Sequence, residues 1–152
     1  MNVDYGTYVA RRRAIVGLSQ RDLARSVGVT QPLVAAVETG AKPASQALRT
    51  ALKHALAVRP SAALDARRSE VRAMFARAGL PEPRVFGSVA RGSDDIDSDL
   101  DLVVEFTDQH DIVDLLAIEE ELSNLLTVPV EIVDARAAGS VADRARAEQV
   151  AL

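Results

Sequence analysis

The residues best able to do chemistry are two aspartates one strand step apart. Ser98-Asp99-Leu100-Asp101-Leu102-Val103-Val104-Glu105-Phe106 alternates strongly. Side chains of a strand alternate faces, so Leu100, Leu102 and Val104 point to a core, and Asp99 and Asp101 point together to the other face. Two carboxylates so placed repel, and sharing a divalent cation such as Mg2+ relieves the repulsion. A bare Asp-x-Asp is also, and more often, the solvated face of an antiparallel strand. A third carboxylate stands in a second strand pattern, Val128-Pro129-Val130-Glu131-Ile132-Val133, where Glu131 faces away from Val130 and Ile132. Ahead of both, Arg84-Val85-Phe86 reads as a short strand running into Gly87-Ser88-Val89-Ala90-Arg91-Gly92. A strand ending in Gly-Ser and a helical turn presents backbone N–H groups and a hydroxyl, which suits a phosphate. Arg91 is the nearest added cation.

These residues need elements to hold them. Between the two strand patterns, about Ile112 to Leu126 forms an amphipathic helix with Ile112, Leu115, Leu116, Ile118, Leu122, Leu125 and Leu126 on a broad apolar face. Strand, helix, strand lets the two acidic strands lie side by side, so that Glu131 joins Asp99 and Asp101. Upstream, Ser61 caps a helix to about Ala78, ended by Gly79 and the rigid turn Leu80-Pro81-Glu82-Pro83. Ser140 and Asp143 fit a capping box for a last helix running through about Val150. Asp94, Asp95 and Asp97 read as solvated loop charges, and Glu119, Glu120 and Glu121 as a solvated helix face. His54 and His110 lack ligand partners at suitable spacing. Arg144 and Arg146 read as surface charges able to meet an acidic partner or ATP.

Together, Gly87-Ser88, Arg91-Gly92 and Ser98-Asp99-Leu100-Asp101-Leu102 resemble the signature of the DNA polymerase beta-like nucleotidyltransferase superfamily. The short version with a late acidic strand residue and a terminal helix resembles its minimal nucleotidyltransferases, over about residues 66–152. The resemblance implies that Gly87 and Ser88 bind the phosphates of ATP or another NTP, with Arg91 beside them. It implies that Asp99 and Asp101 hold Mg2+ and that Glu131 completes the site and helps activate the acceptor hydroxyl.

Residues 5–58 read instead as consecutive short helices. Ser19 caps one carrying Leu23, Ala24 and Val27, and Gly28 turns the chain. Thr30 precedes another with Pro32 in its first turn, Gly40 stops it, and a last helix runs from about Ser45 to Ala57. Ala24, Gly28, Val34 and Val37 are spaced as a helix-turn-helix requires, with a small residue for close crossing and glycine for the sharp turn. The stretch resembles the helix-turn-helix of the Cro/cI-like (XRE) family over about residues 5–57. That resemblance places the recognition helix at about Gln31 to Thr39. Gln31 is the best base reader, because its amide can pair bidentately with adenine. Gln20, Thr30 and Lys42 complete the candidate DNA-binding set, and Arg11, Arg12, Arg13 and Arg49 are further phosphate candidates. Ala35 and Ala36 leave the recognition face poor in polar readers.

The chain of 152 residues thus reads as two domains: a Cro/cI-like helix-turn-helix at 1–58, all α, and a minimal nucleotidyltransferase domain at 61–152, α/β (α+β) with a short mixed sheet. The charge divides likewise. Residues 1–58 hold eight Lys/Arg against three Asp/Glu, and residues 59–152 hold ten against nineteen, so a net +5 is joined to a net −9. One surface for a polyanion is joined to another crowded with carboxylates. Cysteine is absent, which excludes disulfides, thiolate catalysis and thiolate-bound metals. Aromatic residues are 3%, too few for a stacking platform for single strands. No apolar run approaches the roughly 18 residues that span a bilayer, and the N-terminus does not read as a signal peptide. A cytoplasmic protein is expected.

Two functions follow. The first is a nucleotidyltransferase moving NMP, AMP by preference, from NTP to a protein acceptor. Minimal nucleotidyltransferases are commonly antitoxins paired with HEPN-domain ribonuclease toxins, and a fused helix-turn-helix would let such a protein repress its own operon. The second is a DNA-binding regulator whose nucleotidyltransferase fold only binds nucleotide or a partner. A homodimer on double-stranded DNA, or a hetero-oligomer with a toxin, is expected; no membrane partner is.

Overall fold

Four helices, each begun by a local signal, build the N-terminal unit. The computed structural model describes residues 3–152, so the first two positions of the expected 1–58 domain lie outside the described residues. It divides into two compact units, the first ending at Val58 and the second spanning Arg59–Leu152. In the first, α1 (Tyr5–Ile15) is capped by Asp4, α2 (Gln20–Ser26) by Ser19 and α4 (Gln46–Ala55) by Ser45. The helix α3 (Gln31–Glu38) has Pro32 in its first turn and takes no side-chain cap from Thr30. Val9, Leu23, Ala24, Val34, Val37, Leu48, Leu52 and Leu56 close one core. A Cβ on Gly6 would lie 2.4 Å from the Val37 carbonyl oxygen, so α1 crosses α3 backbone against side-chain-free backbone.

The second unit is a mixed sheet with helices on both faces. Its elements are α5 (Pro60–Arg77), β1 (Arg84–Phe86), α6 (Gly87–Ala90), β2 (Leu100–Val104), α7 (Ile112–Leu126), β3 (Val130–Asp134), α8 (Ser140–Glu148) and β4 (Val150–Ala151). The strand order is β3-β2-β1-β4, with β2 and β3 parallel and β1 antiparallel to both of its neighbours. Val85, Leu100, Leu102 and Ile132 bury one face. On the other face Phe86 and Val103 pack with Ala145 of α8. The outward N–H groups of edge strand β3 are taken by α7: Ser123 Oγ accepts from Val130 at 3.2 Å and Glu119 Oε1 from Ile132 at 2.8 Å. Glu119 is therefore a cover for the sheet edge, not part of a solvated face. The apolar face of α7 is narrower in use than its sequence: Ile118, Leu122 and Leu126 are buried, while Ile112 and Leu116 are exposed.

Three helix ends differ from the expectation. Helix α5 starts at Pro60 with no cap from its own segment. Its exposed backbone donors still need a partner, and Asp94 supplies one, accepting from the Ser61 N–H at 2.9 Å. Asp94 is 6% exposed, so it is a buried remote cap and not a solvated loop charge. Asp95 accepts from the Asp97 N–H and the Ser98 hydroxyl, folding the loop before β2. Ser140 caps nothing: Gly139 holds the cap position of α8 without a side-chain bond, and Asp143 pairs with Arg146. The last helix stops at Glu148 because Val150–Ala151 pairs with the free edge of β1.

Asp94→Ala should destabilise this unit by about 1–2 kcal/mol, the range for losing a helix cap, measured by urea unfolding. Asp94→Asn should restore most of that loss, since its carbonyl oxygen still accepts from the Ser61 N–H.

Candidate functional site

Register assembles the carboxylates. Phe86 pairs with Asp101 across β1 and β2, and Asp101 pairs with Glu131 across β2 and β3. Cross-strand partners share a face, so Asp101 and Glu131 stand side by side on the face away from the Leu100 and Leu102 core. Asp99, two residues before Asp101, shares that face. Asp101 is half-buried, while Asp99 and Glu131 are exposed. Burial pushes the Asp101 carboxyl above the usual carboxylate range, and the charges of Glu131 and Asp99 add to the shift. Arg144 and Arg91 oppose it.

The Gly-Ser turn is fitted onto the same carboxylate. Gly87 has φ 69°, and a Cβ there would lie 2.1 Å from Asp101 Oδ2. Only glycine meets both demands, the left-handed backbone and the close approach. Backbone bonds then fold the turn: Arg91 N–H donates to Gly87 O at 3.2 Å, Gly92 N–H to Val89 O at 3.1 Å and Ser93 N–H to Ser88 O at 2.9 Å. Gly87, Ser88 and Arg91 thus leave the end of β1 next to Asp101. Arg91 is already engaged, its Nη1 donating to Glu148 Oε2 at 2.6 Å.

Among the described residues no three His, Cys, Asp or Glu side chains form a ready-made metal cage. The donors fit Mg2+ all the same. Mg2+ prefers hard oxygen ligands, keeps several waters, and takes one or two carboxylates plus substrate phosphates instead of an all-protein cage. A half-buried carboxylate opposed by two like charges is a suitable anchor. Asp99, Asp101 and Glu131 are the residues that would hold it.

The residue at this site that the sequence reading did not assign to it is Glu148 on α8, one turn from Arg144, a charge expected at the surface and able to meet an acidic partner or ATP. Its signal was Ala145: with 0% exposure Ala145 packs against Phe86 and Val103, which fixes its helical neighbours beside the acidic face. Arg146, by contrast, donates to the Ala135 and Ala137 carbonyls and ties α8 to the chain after β3. His110 is also structural, with Nε2 at 2.9 Å from the Ala78 carbonyl and Nδ1 at 2.7 Å from Thr107 Oγ1.

In the N-terminal unit, side chains form a relay to the candidate base reader. Arg13 pairs with Glu38 at 2.6 Å, Gln20 Nε2 donates to Glu38 Oε2 at 2.8 Å, and Gln31 Nε2 donates to Gln20 Oε1 at 2.7 Å. Gln31 keeps its carbonyl and a second N–H, enough for a bidentate contact. Arg13 is therefore a structural ion pair and not a phosphate candidate. Arg12 is buried beneath the Tyr8 ring, 5.4 Å from its centroid, and Arg49 lies 4.1 Å over the Tyr5 ring while donating to the Ala44 carbonyl. Lys42 is exposed and Thr30 stands at the entry to α3.

Residues 84–152 match the family model described as polymerase beta, nucleotidyltransferase. The chain is 37% identical over 70 residues to the protein adenylyltransferase MntA of Thermococcus cleftensis, a match spanning 46% of this chain and 68% of the relative. It is 37% identical over 49 residues to a Methanocaldococcus jannaschii protein assigned as a protein adenylyltransferase, spanning 32% of this chain and 57% of the relative. A solved structure assigned as a minimal nucleotidyltransferase superposes with a TM-score of 0.54 at 40% identity, covering 60% of this chain and 95% of the other. Among the described residues no helix is long and apolar enough to cross a membrane.

Proposed function

The chain belongs to the polymerase beta nucleotidyltransferase family, and from that premise we propose that it moves AMP from ATP to a hydroxyl of a protein acceptor. The observation that carries this reading is the seating of Gly87 against Asp101, with Asp101 in register with Glu131. One turn for phosphate and one carboxylate group for cations meet there. The acceptor oxygen bonds to the α-phosphorus as the α–β phosphoanhydride bond breaks, and pyrophosphate leaves. Glu131 takes the acceptor's proton, and the Gly87-Ser88 turn and Arg91 orient the triphosphate. When bound, Mg2+ supplies charge neutralisation of the triphosphate and a lowered pKa for the attacking hydroxyl.

The acceptor we propose is a HEPN-type toxin encoded beside this chain, with the helical unit binding duplex DNA as a dimer to repress the shared operon. The likeness to protein adenylyltransferases supports a protein acceptor. The net positive charge of residues 1–58 and the Gln20–Gln31 relay support DNA binding. Incubation with Mg-ATP and the neighbouring gene product, read by intact mass, tests the transferase reading. A gain of one AMP on the product supports it; no adduct, with Mg-ATP still bound, favours the regulator whose fold only binds nucleotide.

DNA binding makes its own prediction. Affinity should fall steeply with salt through counterion release. Gln31→Ala should lose roughly 1–3 kcal/mol of discrimination between cognate and random duplex, measured by fluorescence anisotropy. Equal loss on both duplexes would remove Gln31 as a base reader.

A further inference from the structure

Helix α8 carries a pair of charges that the phosphate-binding turn alone does not explain. Ala145 is fully buried against Phe86 and Val103, on the sheet face that also bears Asp101. Arg144 and Glu148 stand one helical turn apart on this helix. One oxygen of Glu148 lies 2.6 Å from Arg91 Nη1, and its other oxygen lies 4.0 Å from Arg144 Nε. A single carboxylate from the last helix thus faces two guanidiniums, one of them from the phosphate-binding turn.

We propose that Arg144 is a second triphosphate-binding cation and that Glu148 is an internal competitor, holding Arg91 until an incoming phosphate displaces it. This rests on the nucleotidyltransferase reading and deepens it. The physical case is one of relative strength. The Arg91 and Glu148 side chains are 51% and 32% exposed, and ion pairs this open contribute little. A phosphate offers the same guanidinium bidentate acceptance with more charge. A carboxylate left beside bound phosphates repels them, so exchange of Glu148 for phosphate also favours release of pyrophosphate after transfer. Arg144 differs from Arg146, which backbone carbonyls hold away from the site.

The test is Mg-ATP affinity by calorimetry for wild type, Arg144→Gln, Arg144→Lys and Glu148→Gln, with melting of each nucleotide-free protein as the folding control. Arg144 is 59% exposed, so its variants should melt like wild type. Arg144→Gln should bind about tenfold more weakly, the loss for one charge-assisted contact. Arg144→Lys should recover part of it, and Glu148→Gln should bind several-fold more tightly. In transfer assays Arg144→Gln should raise KM more than it lowers kcat. Unchanged affinity in Arg144→Gln, or weaker binding in Glu148→Gln, overturns the inference and leaves the transferase reading standing. Failure of wild type to bind Mg-ATP overturns both.

Discussion

Asp101→Asn should abolish nucleotidyl transfer, with a loss of at least about 10²–10³-fold, yet leave the nucleotide-free fold as stable as wild type or slightly more so. Asp101 is half-buried and pressed by Glu131 and Asp99, so its charge is a burden on the resting protein. Folding raises its pKa above the unfolded value. As pH rises from the unfolded pKa through the folded one, the folded state therefore holds more protons than the unfolded chain, and wild type loses stability. The asparagine variant has no such loss. Melting temperatures of the two proteins should diverge in favour of Asp101→Asn as pH rises from about 4 to about 7. An Asp101→Asn protein that melts well below wild type at neutral pH would make Asp101 a structural residue.

Gly87→Ala should be nearly as damaging to transfer, for a different reason. Its backbone cost at φ 69° is on the order of 1 kcal/mol. The larger effect is local: the new methyl would overlap Asp101 Oδ2, so the carboxylate must swing off its position against the turn. Misplacement of a reacting group by about 1 Å can cost roughly 10²-fold. Gly79→Ala is the matched control, because Gly79 has φ 72° with nothing within 4 Å of a Cβ. It should lose similar stability and keep its activity. Gly87→Ala placed on Asp101→Asn should cost little further transfer. If Gly87→Ala and Gly79→Ala behave alike in transfer assays, the contact with Asp101 is not part of the site.

The acidic strands were legible in the sequence because their rule is local. Period-two alternation places Asp99 and Asp101 on one face without reference to any other element, and the same rule turns Glu131 away from Ile132. What the periodicity did not contain was partners far along the chain. Asp94 looks like one of several loop acids, and only the fold brings it to the Ser61 amide, 33 residues away. Glu119 looks like one of three solvated glutamates until β3 lies beside α7 and leaves an amide to satisfy. Val150 continues a helical pattern on paper, but the free edge of β1 offers it a strand partner. Arg13 and Arg12 read as surface cations because charge alone says nothing of burial. Glu38 claims Arg13 once α1 and α3 pack, while Arg12 is buried against Tyr8 of its own helix. Glu148 was missed at the site for the same reason: what aims it is the burial of Ala145 on the sheet face that bears Asp101.

The measurement that bears most directly on the central claim is thermal unfolding of wild type and Asp101→Asn, each with and without Mg-ATP. A ligand bound by the folded state alone raises the melting temperature by mass action. Wild type should therefore melt higher with Mg-ATP, Asp101→Asn should lose most of that shift, and without nucleotide the variant should melt no lower than wild type. The absence of any Mg-ATP shift in wild type, together with an Asp101→Asn protein that melts well below it, would contradict the account and make the carboxylates of β2 structural.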